Sequence, residues 1–474
     1  MTTFIGRQAE ISQLIEFKEK KTASFILLRG RRRIGKSRLV KELGKHFEHF
    51  YTFSGLPPDR SVDNIHQINE FSKQLSRQFN APAARYDDWS DIFWALAERL
   101  RVGSTLLLFD EISWMGSRDP TFLGKIKNLW DLHLKENNKL LFVICGSASS
   151  WIDKNILSST GFVGRISLTL TLDELPLKDC SQFWPQNISN YEKFKVLAVI
   201  GGVPKYLEEI NPKQSAEENI KKLCFTKGGF LVDEFNQIFS DIFLRKSTLY
   251  LEILNALADG PKEHNAICEA IHRERHGRIS EYLKELELSG YIQRDFTWNV
   301  KTVIDSGLSQ YRLSDNYVRF YLKYIDKNLS KINRQNFVAK SLTALPEWST
   351  LMGLQFENLV LNNRKFIHSK LRIQPEDILC DNPFFQRKTN RMPGCQIDYM
   401  IQTKFNTLYI CEIKFSKDKI GLSVIDSIRS KMNAIKYPKG ISCRPVLIHV
   451  NGVTDDLLES DFFSAIIDMG EALA

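Results

Sequence analysis

Three short stretches of this 474-residue chain carry side chains whose types and spacing could do chemistry. The first is "GRRRIGKS", Gly30 to Ser37, which fits GxxxxGKS. Glycines at Gly30 and Gly35 let backbone N–H groups turn into the loop, and a following helix adds its positive end. Lys36 then reaches the terminal phosphates of a nucleotide and Ser37 can ligate Mg²⁺. The second is "TLLLFDE", an apolar run ending in Asp110 and Glu111. Asp110 suits the water shell of Mg²⁺ and Glu111 suits the water that attacks a γ-phosphate. The third is "LYICEIKF", Leu408 to Phe415, in which a strand-length greasy segment carries Glu412 and Lys414. Strand geometry puts both on the face shared with Leu408 and Ile410, and puts Tyr409, Cys411, Ile413 and Phe415 on the other. Such a pair compensates itself, lies at an exposed sheet end, or holds something such as a metal.

The elements that must position these groups are also legible. Phe25–Leu28 reads as a buried strand, and an amphipathic helix runs onward from Arg38. This is the strand–loop–helix setting that a phosphate loop requires. "TLLLF" reads as a central parallel strand, and ligands of such sheets bind at the carboxyl ends of the strands, where Asp110 and Glu111 emerge. "KLLFVICGSASSW" is a third run, and its Ser147 is a candidate polar sensor of the γ-phosphate.

From Ser247 the pattern changes to short helices, "STLYLEILNALADG", "EHNAICEAI" and "GRISEYLKELELSGYIQRD", with a hairpin expected from Tyr291. The third helix offers Arg275, His276, Arg278 and Lys284, and the hairpin Lys301, as phosphate contacts. Glu281, Glu285 and Glu287 dilute that charge, and a protein-binding role stays open. "YRLSDNYVRFYLKYID" spaces its aromatic residues for helix packing rather than base stacking. The polar stretch "KNLSKINRQNF" is the best linker.

The last ~130 residues, a domain-sized block, open with a helix that sets Glu357 within an apolar face. A strand, "CQIDYMIQT", carries Asp398, "LYICEIKF" follows after a short turn, and the helix "SVIDSIRSKMNAIKY" leads to the strand "RPVLIHV". Basic residues at 387–391, with Lys417 and Lys419, could line a phosphate path or simply form a solvated loop.

Composition sets wider bounds. Hydrophobic residues make up 43% and charged residues 26%, a globular balance, and the formal charge of +9 leans toward an anionic partner. The eight cysteines form no CxxC pair and read as reduced core residues of a cytoplasmic protein. No signal-peptide pattern or membrane-length apolar run is present, so no membrane role is expected. The length suggests three or four units.

Together the phosphate loop and the acidic strand resemble the AAA+ type of P-loop ATPase, specifically the STAND-like archaeal and bacterial group, over roughly residues 4–245. "FIGRQAEI" is similar to that group's hhGRxxE motif near the adenine pocket, "GFVGRI" places Arg165 where the group has an arginine finger, and "GGVPKYL" resembles the GGxP element of its helical lid. The resemblance implies ATP with Mg²⁺, a nucleotide-dependent switch and a homo-oligomer. It also implies nucleotide contacts from Gly6, Arg7, Gly30, Gly35, Lys36, Ser37, Arg38, Asp110, Ser147 and Pro204. The middle segment resembles a winged helix-turn-helix over about 247–315.

The C-terminal acids and lysine resemble the PD-(D/E)XK nuclease fold, with Ile397 in place of the proline. That likeness implies Mg²⁺ held by Asp398, Glu412 and the carbonyl of Ile413, with Glu357 completing the acidic cluster. Lys414 would position or help deprotonate the attacking water. The expected architecture is α/β: an ATPase core over 1–172, a helical lid over 173–245, a winged helix with the aromatic helix over 246–325, a linker over 326–345, and a nuclease-like domain over 346–474. The expected function is an ATP-dependent switch coupled to a Mg²⁺-dependent nuclease acting on nucleic acid, DNA first. The alternatives are a DNA-binding regulator or signalling scaffold with an inactive nuclease-like domain, and a protein-remodelling ATPase.

Overall fold

Continuous apolar runs become the strands of a central sheet in the N-terminal part of the chain. The computed structural model describes residues 4–57, 61–147, 150–243, 247–274, 277–390, 393–435 and 437–474. The chain divides into two compact units, Met1–Asp173 with Leu288–Gly290, and Glu174–Glu287 with Tyr291–Ala474.

In the first unit, β1 (Ser24–Gly30), β2 (His49–Ser54), β3 (Thr105–Asp110), β4 (Leu140–Ser147) and β5 (Leu168–Leu172) form a five-stranded sheet in the order β2-β3-β4-β1-β5. All its pairings are parallel. Along β3, Leu106 and Leu108 join one apolar cluster while Leu107 and Phe109 join the other. A central strand with both faces covered must be apolar at every position, which is why "TLLLF" has no polar alternation.

The second unit is built round one long apolar core reaching from Leu175 to Leu473. Helices Ser247–Ala258, His264–Ala270 and Gly277–Leu288 precede a hairpin of β7 (Ile292–Asn299) and β8 (Ile304–Leu313), and the short β6 (Lys262–Glu263) pairs with β8. The hairpin is not a free wing. Trp298 and Val300 lie in the same buried cluster as Phe384, Ile397 and Met400. Trp298 Nε1 donates to Gln402 Oε1 at 2.7 Å, and Gln402 Nε2 donates back to the carbonyl of Val300 at 2.9 Å. Trp298→Ala should therefore destabilise this unit by about 3–5 kcal/mol, the usual loss for a buried large aromatic. Urea titration followed by far-UV circular dichroism would measure it, and a midpoint equal to wild type would show that the hairpin is not docked.

The stretch expected as a linker carries regular structure. Asp326–Asn333 continues as helix with Ile332 fully buried, and Phe337 stacks on Phe225 at 4.4 Å. Its polar residues face solvent while single apolar ones anchor it. The segments expected as lid, winged helix and C-terminal domain all contribute residues to one apolar cluster within the second unit.

The C-terminal part follows the expected order of helix, strand, strand, helix, strand, with two further strands. Helix Trp348–Asn362 leads to β9 (Ile378–Gln386), β10 (Cys395–Thr403) and β11 (Thr407–Phe415), and helix Ser423–Ala434 crosses to β12 (Ser442–Val450), with β13 (Ala465–Asp468) last. The sheet runs β13-β12-β11-β10-β9, antiparallel from β9 to β11 and parallel from β11 to β13. Leu408 and Ile410 pack with Val424 and Ile428 of the crossing helix, whereas Cys411 and Ile413 pack with Phe356 and Leu359 of the first helix. The two faces of β11 are thus divided as its alternation requires.

Candidate functional site

At the carboxyl end of β1 the chain turns through Arg31–Gly35 into helix Lys36–Gly44. Gly35 has φ 92°, a left-handed conformation open to glycine, and a Cβ on Gly30 would lie 2.6 Å from the carbonyl oxygen of Leu172. Arg33 and Glu111 adopt φ 66° and 51°, so two non-glycine residues in left-handed backbone flank this site. Such strain persists where surrounding packing over-determines it, as at ligand clamps.

The Lys36 ammonium, almost fully buried, donates to the carbonyls of Gly30 at 2.9 Å and Arg31 at 3.0 Å. A buried ammonium needs acceptors, and the loop's own carbonyls supply them where phosphate oxygens would otherwise stand. Ser37 Oγ donates to Asp110 Oδ2 at 2.6 Å. The hydroxyl and carboxylate that would organise Mg²⁺ are therefore already adjacent, which is the fit a P-loop cation site requires. Ser147 ends β4 in register with Gly30.

The second cluster lies in the other unit. The β9–β10 ladder shifts register between Ile397 and Met400, although both these side chains join the same cluster and Tyr399 joins the opposite one. This bulge re-aims Asp398, a common device beside functional sites. Tyr399 next to it is held by its hydroxyl, 2.7 Å from both Asp381 Oδ2 and His368 Nε2. Asp398 Oδ2 accepts from the amide of Ile413 at 2.9 Å, while Oδ1 lies 3.2 Å from Lys431 Nζ. Lys431 Nζ also reaches Glu412 Oε2 at 2.6 Å, and Lys414 Nζ pairs with Glu412 Oε1 at 2.8 Å.

Charges set the ionisation of the group. Burial raises the Glu412 carboxyl's pKa, but Lys431 and Lys414 outweigh it and hold the carboxyl below its usual range. Asp398 is shifted upward, by burial first and by Glu412 next. Glu357 makes no hydrogen bond or ion pair among the described residues, and its carboxyl is pushed up to about 7 by burial and then by Asp398, against Arg319, Arg312 and Lys431. Among the described residues no group of three or more His, Cys, Asp or Glu is arranged to hold a metal ion. The expected three acids round one ion are thus two acids round one ammonium, with Glu357 felt through its charge.

A pH dependence follows from Glu357. Its folded pKa exceeds its unfolded value, so the unfolded chain ionises first and the folded state loses stability as pH rises from about 4.5 to about 7. Glu357→Gln should remove that loss, so its melting temperature should gain on wild type across this window. Parallel melting curves for the two proteins would contradict the assignment.

Residues 4–210 match the family described as an ATPase domain predominantly from Archaea. The matched segment holds Gly30–Ser37 and the acidic strand that ends in Asp110. The chain is also 26% identical over 365 residues to protein MJECL04 of Methanocaldococcus jannaschii, covering 75% of this chain and 76% of that one. Among solved structures it is similar to the Walker-type ATPase PABY2304 of Pyrococcus abyssi, with a TM-score of 0.49 and 15% identity over 67% of this chain and 96% of that one. The Aeropyrum pernix ORC2 protein gives a TM-score of 0.42 at 14% identity, covering 71% and 97%.

Other expected site residues of the first unit have structural partners. Arg7, buried, pairs with Glu10 at 2.9 Å and donates to the carbonyls of Ile34 and Asp173. Its guanidinium thereby fastens the phosphate loop to the end of β5, beside Gly6 at φ 72°. Arg165 is held bidentately by Asp131, with Nε and Nη2 at 2.9 and 2.8 Å from Oδ1 and Oδ2. Arg165 first, then Lys127, draws the Asp131 carboxyl down to about 2, against its partial burial. Arg38 is half-buried on the helix that follows the loop.

In the second unit, Pro204 is the first residue of helix Pro204–Leu207, and Gly202 just ahead of it is packed so that a Cβ would meet the carbonyl of Leu175 at 2.4 Å. Arg278, Lys284 and Lys301 are exposed, whereas Arg275, His276 and Arg391 lie outside the described residues. Arg387 pairs with Glu263. Lys431 and Ser427 were not anticipated, although one signal was present: they sit four residues apart on the helix face that carries Val424 and Ile428. Among the described residues no helix is long and apolar enough to cross a membrane.

Proposed function

We propose that this chain is an ATP-dependent switch coupled to a Mg²⁺-dependent nuclease that acts on DNA. The observation that carries the nuclease half is the convergence of Asp398 and Glu412 on a single cation position beside Lys414. Mg²⁺ bound at either site supplies Lewis-acid polarisation of a phosphoryl oxygen and offsets its negative charge.

In the ATPase domain, Gly30 and Gly35 shape the cradle, Lys36 holds the terminal phosphates, and Ser37 with Asp110 holds the cation. Glu111 orients the attacking water, and Ser147 senses the γ-phosphate. Arg165 serves as a finger only after exchanging Asp131 for phosphate. At the second site Asp398, Glu412 and the carbonyl of Ile413 hold the cation, Glu357 acts through water, and Lys414 orients the attacking water and helps take its proton. Arg278, Lys284 and Lys301 would contact the DNA backbone in the manner of a winged helix. The nucleotide-bound state of a STAND-like oligomer would license cleavage.

The test is cleavage of duplex and single-stranded DNA and of RNA by the purified full chain with Mg²⁺, with and without ATP. Mg²⁺-dependent cleavage abolished by EDTA is expected. Salt-sensitive DNA binding without cleavage would favour the second reading, a DNA-binding regulator with an inactive nuclease-like domain. That reading has an observation of its own, because Lys431 already neutralises the acidic pair.

A further inference from the structure

Lys431 has no part in the mechanism above, yet it holds the centre of the acidic site. Its ammonium bridges Glu412 Oε2 at 2.6 Å and Asp398 Oδ1 at 3.2 Å, and its side chain is 22% exposed. The remaining carboxylate oxygens are occupied as well: Ile413 N–H is on Asp398 Oδ2 at 2.9 Å, and Lys414 and Ser427 are on Glu412 Oε1 at 2.8 and 3.4 Å. A Mg²⁺ ion sits about 2.0–2.1 Å from its carboxylate oxygens. An ion that close to both acids would take the space, and the lone pairs, that the Lys431 ammonium now uses.

We infer that Lys431 is the resident counter-ion of the Asp398–Glu412 pair, that a divalent cation enters this site only as the ammonium leaves, and that the freed ammonium pairs with a phosphodiester. This rests on the reading of Asp398 and Glu412 as cation ligands. Lys431 lies on a helix whose Val424 and Ile428 are fixed in the core, so the movement belongs to the long flexible side chain and not to the backbone. Cation and nucleic acid then bind cooperatively, because each favours the state in which Lys431 has left the carboxylates. Metal affinity is set by a lysine that never touches the metal.

The experiment is isothermal titration of MgCl₂ into the nucleotide-free full chain, wild type against Lys431→Met. The variant is expected to bind about 10- to 100-fold more tightly, the size of the loss that follows removal of a group supporting a metal's ligands, here with the opposite sign because Lys431 competes for them. Adding Glu412→Gln to Lys431→Met should abolish the gain, which places it at this site rather than at the phosphate loop. A duplex with uncleavable phosphorothioate linkages should tighten Mg²⁺ binding by a larger factor in wild type than in the variant, and an equal factor in both would overturn the inference. Circular dichroism checks folding, and Lys431→Gln, which is one bond shorter but keeps a neutral donor, replaces Lys431→Met if the latter is unfolded.

Equal or weaker affinity in the folded variant would overturn the inference and leave the cation site standing. No binding by either protein at millimolar Mg²⁺ would remove both. Absence of cleavage by wild type with the affinity order intact would remove the nuclease reading alone.

Discussion

Glu412→Ala is expected to abolish Mg²⁺-dependent cleavage, by a factor on the order of 10³ or more, as for loss of a principal electrostatic group, while ATP hydrolysis stays at the wild-type rate. The two proposed activities are expected to separate because Glu412 lies in the second unit, whereas Lys36, Ser37 and Asp110 lie in the first. Glu412 is 1% exposed and its oxygens take the ammonium groups of both Lys414 and Lys431. Alanine would leave the partly buried Lys431 with Asp398 alone, and breaking a buried pair costs about 3–5 kcal/mol. Glu412→Gln, which keeps the shape, should lose cleavage with a smaller loss of stability. Parallel cleavage and phosphate-release assays on the two variants decide the matter, and cleavage by either at the wild-type rate would end the nuclease assignment.

Lys36→Ala should abolish nucleotide binding. The loop that surrounds Lys36 is shaped by the backbone of Gly30 and Gly35 and by the buried Ile34, and the substitution takes from it only the ammonium's bonds to the carbonyls of Gly30 and Arg31. The ammonium is what disappears. A charge-assisted hydrogen bond contributes about 1.5–3 kcal/mol, so losing contacts to two phosphates weakens binding about 10²-fold or more. Fluorescence titration with a labelled ATP analogue measures this. An affinity within threefold of wild type would show that the loop does not hold phosphate through Lys36.

Much of the first site was readable because its chemistry is contiguous in the chain. Gly30 to Ser37 span one turn, and a short stretch holds both the loop geometry and the groups that use it. Asp110 was placed by the apolar run before it, since only a doubly covered strand tolerates that run and such a strand ends at the ligand edge. The period of β11 was equally legible: Leu408 and Ile410 pack under helix Ser423–Ala434, Glu412 on the same face meets Ser427 and Lys431 of that helix, and Lys414 pairs with Glu412. Side chains whose partners lie far along the chain carry no such local signal. Arg165 meets Asp131, Arg7 meets the carbonyls of Ile34 and Asp173, and Trp298 meets Gln402. No local pattern encodes these pairings.

By itself, then, the sequence determined the strand–loop–helix of the phosphate site, the order of helices and strands, and which face of β11 carries charge, because backbone periodicity and glycine geometry act over a few residues. Only the tertiary structure decided that a bulge at Asp398 turns it toward β11, that Lys431 from a crossing helix sits between Asp398 and Glu412, and that the hairpin docks on the sheet. Those outcomes depend on which buried charges and apolar surfaces meet in space, and partners are chosen by the whole fold once unpaired burial becomes too costly.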